Sequence, residues 1–146
     1  MAEAIEEARK GICAHHGGPF GAVIVKGGKV VGRGHNRVLL NNDATCHGEM
    51  EAIRDASKAL GTFDLSGCEI YTTGEPCPMC LGAILWANIS KIYYGCNTVD
   101  TDGIGFRDER FYTLFQDHKS VCQELDREAC LKLYEEYLSL DGNQGY

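Results

Sequence analysis

His47-Gly48-Glu49 and Pro76-Cys77-Pro78-Met79-Cys80 place one imidazole, two thiols and one carboxylate in two short, well-separated segments. Cys77 and Cys80 are three apart, so at the start of a helix both project to nearly the same side. A helix N-terminus also favours anions and lowers thiol pKa, which readies both sulfurs as thiolates. For His47 to meet them, the two segments must open onto one end of a shared scaffold, and that limits the folds available to this chain. An imidazole and two thiolates suit zinc, which structural sites surround with four protein ligands and catalytic sites with three. The candidate set His47, Cys77 and Cys80 leaves one position open.

Zinc with an open position makes water acidic enough to lose a proton near neutral pH. Glu49, two residues from His47, can reach such a water without itself ligating, and a carboxylate so placed moves protons as general base and acid. A redox dithiol is the rival reading of Cys77-x-x-Cys80, but no thioredoxin-like context surrounds it and the His-x-Glu upstream would go unused. A structural Cys₂His₂ site needs a second histidine close to the first. None of His15, His16, His35 and His118 stands in that register with His47. The pattern points to hydrolysis.

A chain of 146 residues with 44% hydrophobic content fits one globular domain. No apolar run approaches the roughly 18 residues of a membrane span. The acidic start Met1-Ala-Glu-Ala-Ile-Glu-Glu is unlike a secretory leader, so the chain is expected in the cytoplasm, and its eight cysteines are not expected to form a disulfide framework. Cys13, Cys68, Cys96, Cys122 and Cys130 are expected as small buried residues, and Cys46, beside His47, as a wall residue, with a back-up ligand or a redox-sensitive thiol as the alternatives. The net charge of −7 and pI of about 5.2, with lysines and arginines scattered, disfavour a nucleic-acid polymer and favour a small-molecule substrate.

Residues 21–34 read as a β-hairpin turning at Gly27-Gly28. Residues 49–60 repeat apolar positions at helical spacing and stop at Gly61. A strand is predicted over 68–73, a helix over 79–88 opened by Pro78, a strand over 91–95, a loop over 97–108, a short strand over 121–125 and a helix over 126–140. Trp86 is expected in the core. This order implies a layered α/β domain with helices packed on one central sheet.

Gly18-Pro19-Phe20-Gly21-Ala22-Val23-Ile24-Val25, His35-Asn36, Asn42-Asp43, His47-Gly48-Glu49 and Glu75-Pro76-Cys77-Pro78-Met79-Cys80-Leu81-Gly82-Ala83-Ile84 together resemble the cytidine deaminase-like superfamily over residues 17–108. Within it the chain is most similar to bacterial guanine deaminases and plant guanosine deaminases, through Gly105-Phe106-Arg107-Asp108 and the terminal Tyr146. The resemblance implies a three-layer α/β fold, a central mixed sheet of about five strands with helices on both faces. It implies a single zinc-dependent deaminase domain over residues 1–146, its catalytic core at 17–108 and a C-terminal helix and tail at 126–146. It also implies one Zn²⁺ per chain at His47, Cys77 and Cys80, with Glu49 as proton shuttle. Phe20 and Asn36 would line the base pocket, Asp108 would accept from the guanine N–H edge, and Tyr146 would close over the ligand. A homodimer is implied, with the C-terminal segment exchanged between subunits in some members.

Gly48 departs from the alanine usual at that position in guanine deaminases and is similar to fungal cytosine deaminases. Thr45-Cys46 and Gly74 are also atypical. The expected activity is hydrolysis of guanine to xanthine and ammonia. Cytosine or another amino-pyrimidine or triazine, guanosine, or a binding domain that has lost catalysis are the alternatives. Intact Glu49 disfavours the last, and the acidic surface disfavours a tRNA adenosine deaminase.

Overall fold

The computed structural model describes residues 1–116, 124, 125 and 127–139. Its elements are α1 (Ala2–Cys13), β1 (Gly21–Lys26), β2 (Lys29–His35), α2 (Val38–Asn41), α3 (Gly48–Leu60), β3 (Cys68–Gly74), α4 (Pro78–Trp86), β4 (Lys91–Cys96), α5 (Thr98–Gly103), α6 (Asp108–Gln116) and α7 (Arg127–Ser139). Contacts divide the chain into two compact units, residues 1–112 and 113–146. Among the described residues no helix is long and apolar enough to cross a membrane.

The sheet has the order β2-β1-β3-β4. β1 runs antiparallel to both β2 and β3, while β3 and β4 are parallel and joined through α4. Gly27 and Gly28 turn the β1–β2 hairpin at φ of 55° and 78°, the left-handed values that glycine adopts without a Cβ penalty. Gly61 closes α3 at φ 67° and ψ 27°, as the sequence signalled.

Alternation along the strands assigns the two faces. Ala22, Ile24, Cys68 and Ile70 form a continuous core with Ala52 and Ala56 of α3 and Ile84 of α4. Gly21, one residue out of phase, packs its backbone against Ala4 and Ala8 of α1. Buried positions Ala4, Glu7, Ala8 and Gly11 lie at helical spacing and give α1 its inward stripe. Helices therefore cover both faces, α1 on one side and α3 with α4 on the other, and the layered architecture is as expected.

Five expectations need correction. The sheet has four strands among the described residues, not five. Of the predicted strand 121–125, residues 121–123 lie outside the described set, and Glu124 and Leu125 pair with nothing in the sheet. The predicted loop 97–108 contains α5, because Asn97 and Asp100 cap each other's backbone amides and pay for a helix that the polar sequence hides. Cys13, Cys96 and Cys130 are exposed rather than buried, at a helix end, a strand end and a helix flank. Trp86 is 67% exposed: α4 is apolar on all sides, so periodicity could not choose its inward face.

How closely α3 approaches β2 is set by glycine. A Cβ on Gly32 would lie 2.5 Å from the Ala52 carbonyl oxygen, and one on Gly34 would strike the Ala52 backbone nitrogen and lie 2.5 Å from the Gly48 carbonyl oxygen. Neither partner is a side chain that can swing aside. Gly34→Ala is expected to cost at least about 3 kcal/mol, read as a lowered urea midpoint with unchanged slope.

Candidate metal centre

His47 and Cys77 occupy the same local position, each being the N-cap of its helix with extended backbone (φ −72°, ψ 159° and φ −64°, ψ 166°). An N-cap side chain ordinarily accepts from an amide of the first turn. Neither does so here. The two turn toward one another instead, His47 Nδ1 lying 3.7 Å from Cys77 Sγ. Pro78 begins α4 at its first position, where a missing N–H costs nothing, and so brings Cys80 round one turn onto the same side.

One ligand atom each from His47, Cys77 and Cys80 lies within 4.8 Å of the others. The 3.7 Å separation matches the about 3.6 Å expected of nitrogen and sulfur sharing a tetrahedral zinc. The donor chemistry fits as well. The Cys80 thiol and the His47 ring hold the Cys77 sulfur well below the usual thiol range, to about 4, making it a ready thiolate. That same neighbouring sulfur, together with burial, pushes the Cys80 thiol up. Two adjacent buried sulfurs therefore retain one proton between them unless a cation takes its place. His47 is raised by its contact with Cys77. The described cysteines form no disulfide.

Glu49 sits one residue into α3, 5% exposed, with burial raising its carboxyl above the ordinary value. Thr72 Oγ1 of β3 donates to its Oε1 at 3.3 Å, and Cys80 Sγ approaches its Oε2 at 3.5 Å. The unusual Gly48 has a steric reason: a Cβ there would lie 2.9 Å from the Phe20 carbonyl oxygen. The start of α3 rests directly on the chain entering β1.

Phe20 and Asn36 adjoin this point. Asn36 is 3% exposed, its amide donates to the Phe20 carbonyl at 2.8 Å, and its Oδ1 accepts from Val38 at 3.2 Å. A Cβ on Gly17 would overlap Asn36 Oδ1, which fixes glycine there. Phe20 meets Phe106 edge to face, ring centroids 4.7 Å apart. Asp108 is half-buried at the start of α6, raised by burial and by the negative Cys77 sulfur. Tyr146 lies outside the described residues. Cys46 is buried, with Asn41 Nδ2 donating to its sulfur at 3.3 Å.

Behind Asn36 runs a polar chain. Glu7 of α1, 8% exposed, accepts from His35 Nδ1 at 3.4 Å and from Lys10 at 2.7 Å. His35 Nε2 lies within hydrogen-bond distance of His16 Nδ1, at 2.9 Å. The His16 carbonyl in turn accepts from Leu39 and Leu40. Thr72, Phe106, Gly17 and this chain were not singled out from sequence. Thr72 carries only a strand preference there, whereas Phe106 lay inside the quoted Gly105–Asp108 motif and could have been found.

Residues 1–96 match the model of the cytidine and deoxycytidylate deaminase zinc-binding region. The chain belongs to this family. It is 46% identical over 112 residues to guanine deaminase of Bacillus subtilis strain 168, covering 77% of this chain and 72% of that protein. The X-ray structure of guanine deaminase from Bacillus subtilis superposes with a TM-score of 0.92 at 36% identity, covering 99% of this chain and 95% of that one. A tRNA-specific adenosine deaminase of the same organism is 43% identical over 97 residues, 65% of this chain and 58% of its own length. The family and its zinc ligands make this chain a zinc-dependent aminohydrolase.

Burial alone would raise the Glu7 carboxyl, but hydrogen bonds from Lys10 and His35 outweigh it and hold the group below its ordinary 4.5. Its stabilisation is therefore present above about pH 4.5 and lost as pH falls through the depressed value. Glu7→Gln is expected to lower Tm by about 3 °C at neutral pH. In thermal scans at decreasing pH the gap to the parent protein should close below 4.5.

Proposed function

We propose that this chain hydrolyses guanine to xanthine and ammonia, with His47, Cys77 and Cys80 holding one zinc ion. The observation that carries the reading is the His47–Cys77–Cys80 cluster with the buried Glu49 carboxyl against it, Cys80 Sγ lying 3.5 Å from Glu49 Oε2. When bound, zinc supplies a water acidified into the neutral range. Glu49, oriented by Thr72, would accept a proton from the attacking water as the water oxygen bonds to the purine carbon bearing the amine. The same carboxyl would pass that proton to the adjacent ring nitrogen, then take the remaining hydroxyl proton as the carbonyl forms and hand it to the exocyclic amine, which leaves as ammonia when the carbon–nitrogen bond breaks.

Asp108 accepts from the guanine N–H edge. Asn36, with Oδ1 engaged by Val38, presents its Nδ2 as a donor to a purine acceptor. Phe20 and Phe106 offer an aromatic wall, and Tyr146 closes over the ligand. We further propose that the 146 residues act as one domain in the cytoplasm, as a homodimer with the C-terminal segment exchanged. Exposed Leu85 and Trp86 on α4, and Tyr93 and Tyr94 on edge strand β4, support a covered surface there. A net charge of −7 favours the free base over a tRNA substrate.

Incubation of zinc-loaded protein with guanine, guanosine, cytosine, adenosine and tRNA, followed by ultraviolet change and ammonia release, is expected to show turnover of guanine. Activity confined to cytosine or to tRNA adenosine would replace this reading. Glu49→Gln is expected to keep zinc and lose about 10³-fold in kcat, checked by metal analysis and steady-state kinetics. Asp108→Ala is expected to raise KM for guanine roughly 10-fold; unchanged guanine kinetics would remove the purine-edge assignment.

A further inference from the structure

Asp108 and Tyr112 are four residues apart on α6, so both side chains leave the same face of that helix. The Tyr112 hydroxyl donates to the Pro76 carbonyl oxygen at 2.6 Å. Pro76 is the residue immediately before ligand Cys77, so the accepting carbonyl belongs to the peptide that carries the Cys77 nitrogen.

A second tie closes the arrangement. Thr98 of α5 donates through its hydroxyl to Glu109 Oε2 of α6 at 2.9 Å, and through its backbone amide to Glu75 Oε2 at 3.2 Å. The Glu75 amide donates to the Cys96 carbonyl at 2.8 Å at the end of β4. The corner 74–77, α5 and the first turn of α6 are thus one hydrogen-bonded ring. Asp108 has no bond of its own that fixes α6 to that corner among those the structure shows; Tyr112, one turn on, does.

We propose that Tyr112 is a positioning residue for purine recognition: its hydroxyl fastens α6 to the carbonyl preceding Cys77 and thereby sets where Asp108 stands relative to the metal centre. Tyr112 touches neither substrate nor metal; it acts through Asp108. The kinetic consequence rests on the guanine reading above, whereas the attachment of α6 does not.

The test uses the full-length, zinc-loaded protein and the variants Tyr112→Phe, Asp108→Ala and the double variant. Phenylalanine keeps the ring and removes only the donor. Tyr112→Phe is expected to raise KM for guanine about 5-fold, with kcat within about twofold of the parent value and zinc content unchanged. Once Asp108 is alanine, Tyr112→Phe should change KM no further. An equal KM penalty in both backgrounds would overturn the proposal, as would a loss confined to kcat or a loss of zinc. Amide hydrogen exchange supplies a readout independent of substrate: Tyr112→Phe should accelerate exchange over residues 108–112 and leave α3 unchanged. Unaltered exchange at 108–112 would overturn the attachment. A parent protein without guanine turnover would remove the function proposed above, and the exchange measurement would still decide the role of Tyr112.

Discussion

The His47 ring reaches the sulfurs of Cys77 and Cys80 because α3 and α4 lie on one face of the sheet and begin at the same end of it. That placement depends on a very short distance between α3 and β2. Gly32 and Gly34 present no side chain toward Ala52, Ala56 and the Gly48 carbonyl, so helix and strand meet backbone to backbone. Gly48 repeats the device at the start of α3, where it rests on Phe20. Any widening of this contact would carry His47 and Glu49 outward together, because one is the N-cap and the other lies in the first turn of the same helix. Small residues in the core thus set the dimensions of a polar site.

Charge is the second constraint. Two sulfurs, the enclosed Glu49 and the half-buried Asp108 gather around one imidazole, and burial opposes each negative charge. Two helix N-termini point at the cluster and offset part of that cost. A divalent cation offsets the rest, since it replaces the shared thiol proton with two positive charges. The geometry that makes a good metal site is the one that makes the metal-free arrangement electrostatically tense. Thr72, bonded to one oxygen of Glu49, fixes which part of the carboxylate is left to face the centre.

Around this centre the chain uses backbone carbonyls as fastening points. Phe20 accepts from Asn36, His16 from Leu39 and Leu40, and Pro76 from Tyr112. Each bond ties together segments far apart in the chain on the side of the fold where His47 and Cys77 meet. The Glu7–His35–His16 chain does the same for the far side of Asn36, with a buried carboxylate anchoring it to α1.

The meeting of His47, Cys77 and Cys80 beside Glu49 was legible in the sequence, because zinc chemistry demands particular side chains and helical spacing brings Cys77 and Cys80 to one side. The hairpin at Gly27-Gly28 and the stop at Gly61 were legible for a comparable reason: a positive φ is a local demand that few residues meet. The helix α5 was not read, although the Asn97–Asp100 pairing that caps it was present in the sequence. The exposure of Trp86 and of Cys13, Cys96 and Cys130 could not be read at all, since a uniformly apolar helix and a lone small residue carry no directional signal. Thr72 and Tyr112 were invisible for the deeper reason that each acts on a partner 23 or 36 residues away. Sequence by itself determined which side chains could hold a metal and which carboxyl stands beside them, because those candidates depend on chemical identity and local spacing. Only the tertiary structure decided what surrounds and orients them, because contacts across sheet, helix and loop exist only once the chain has packed.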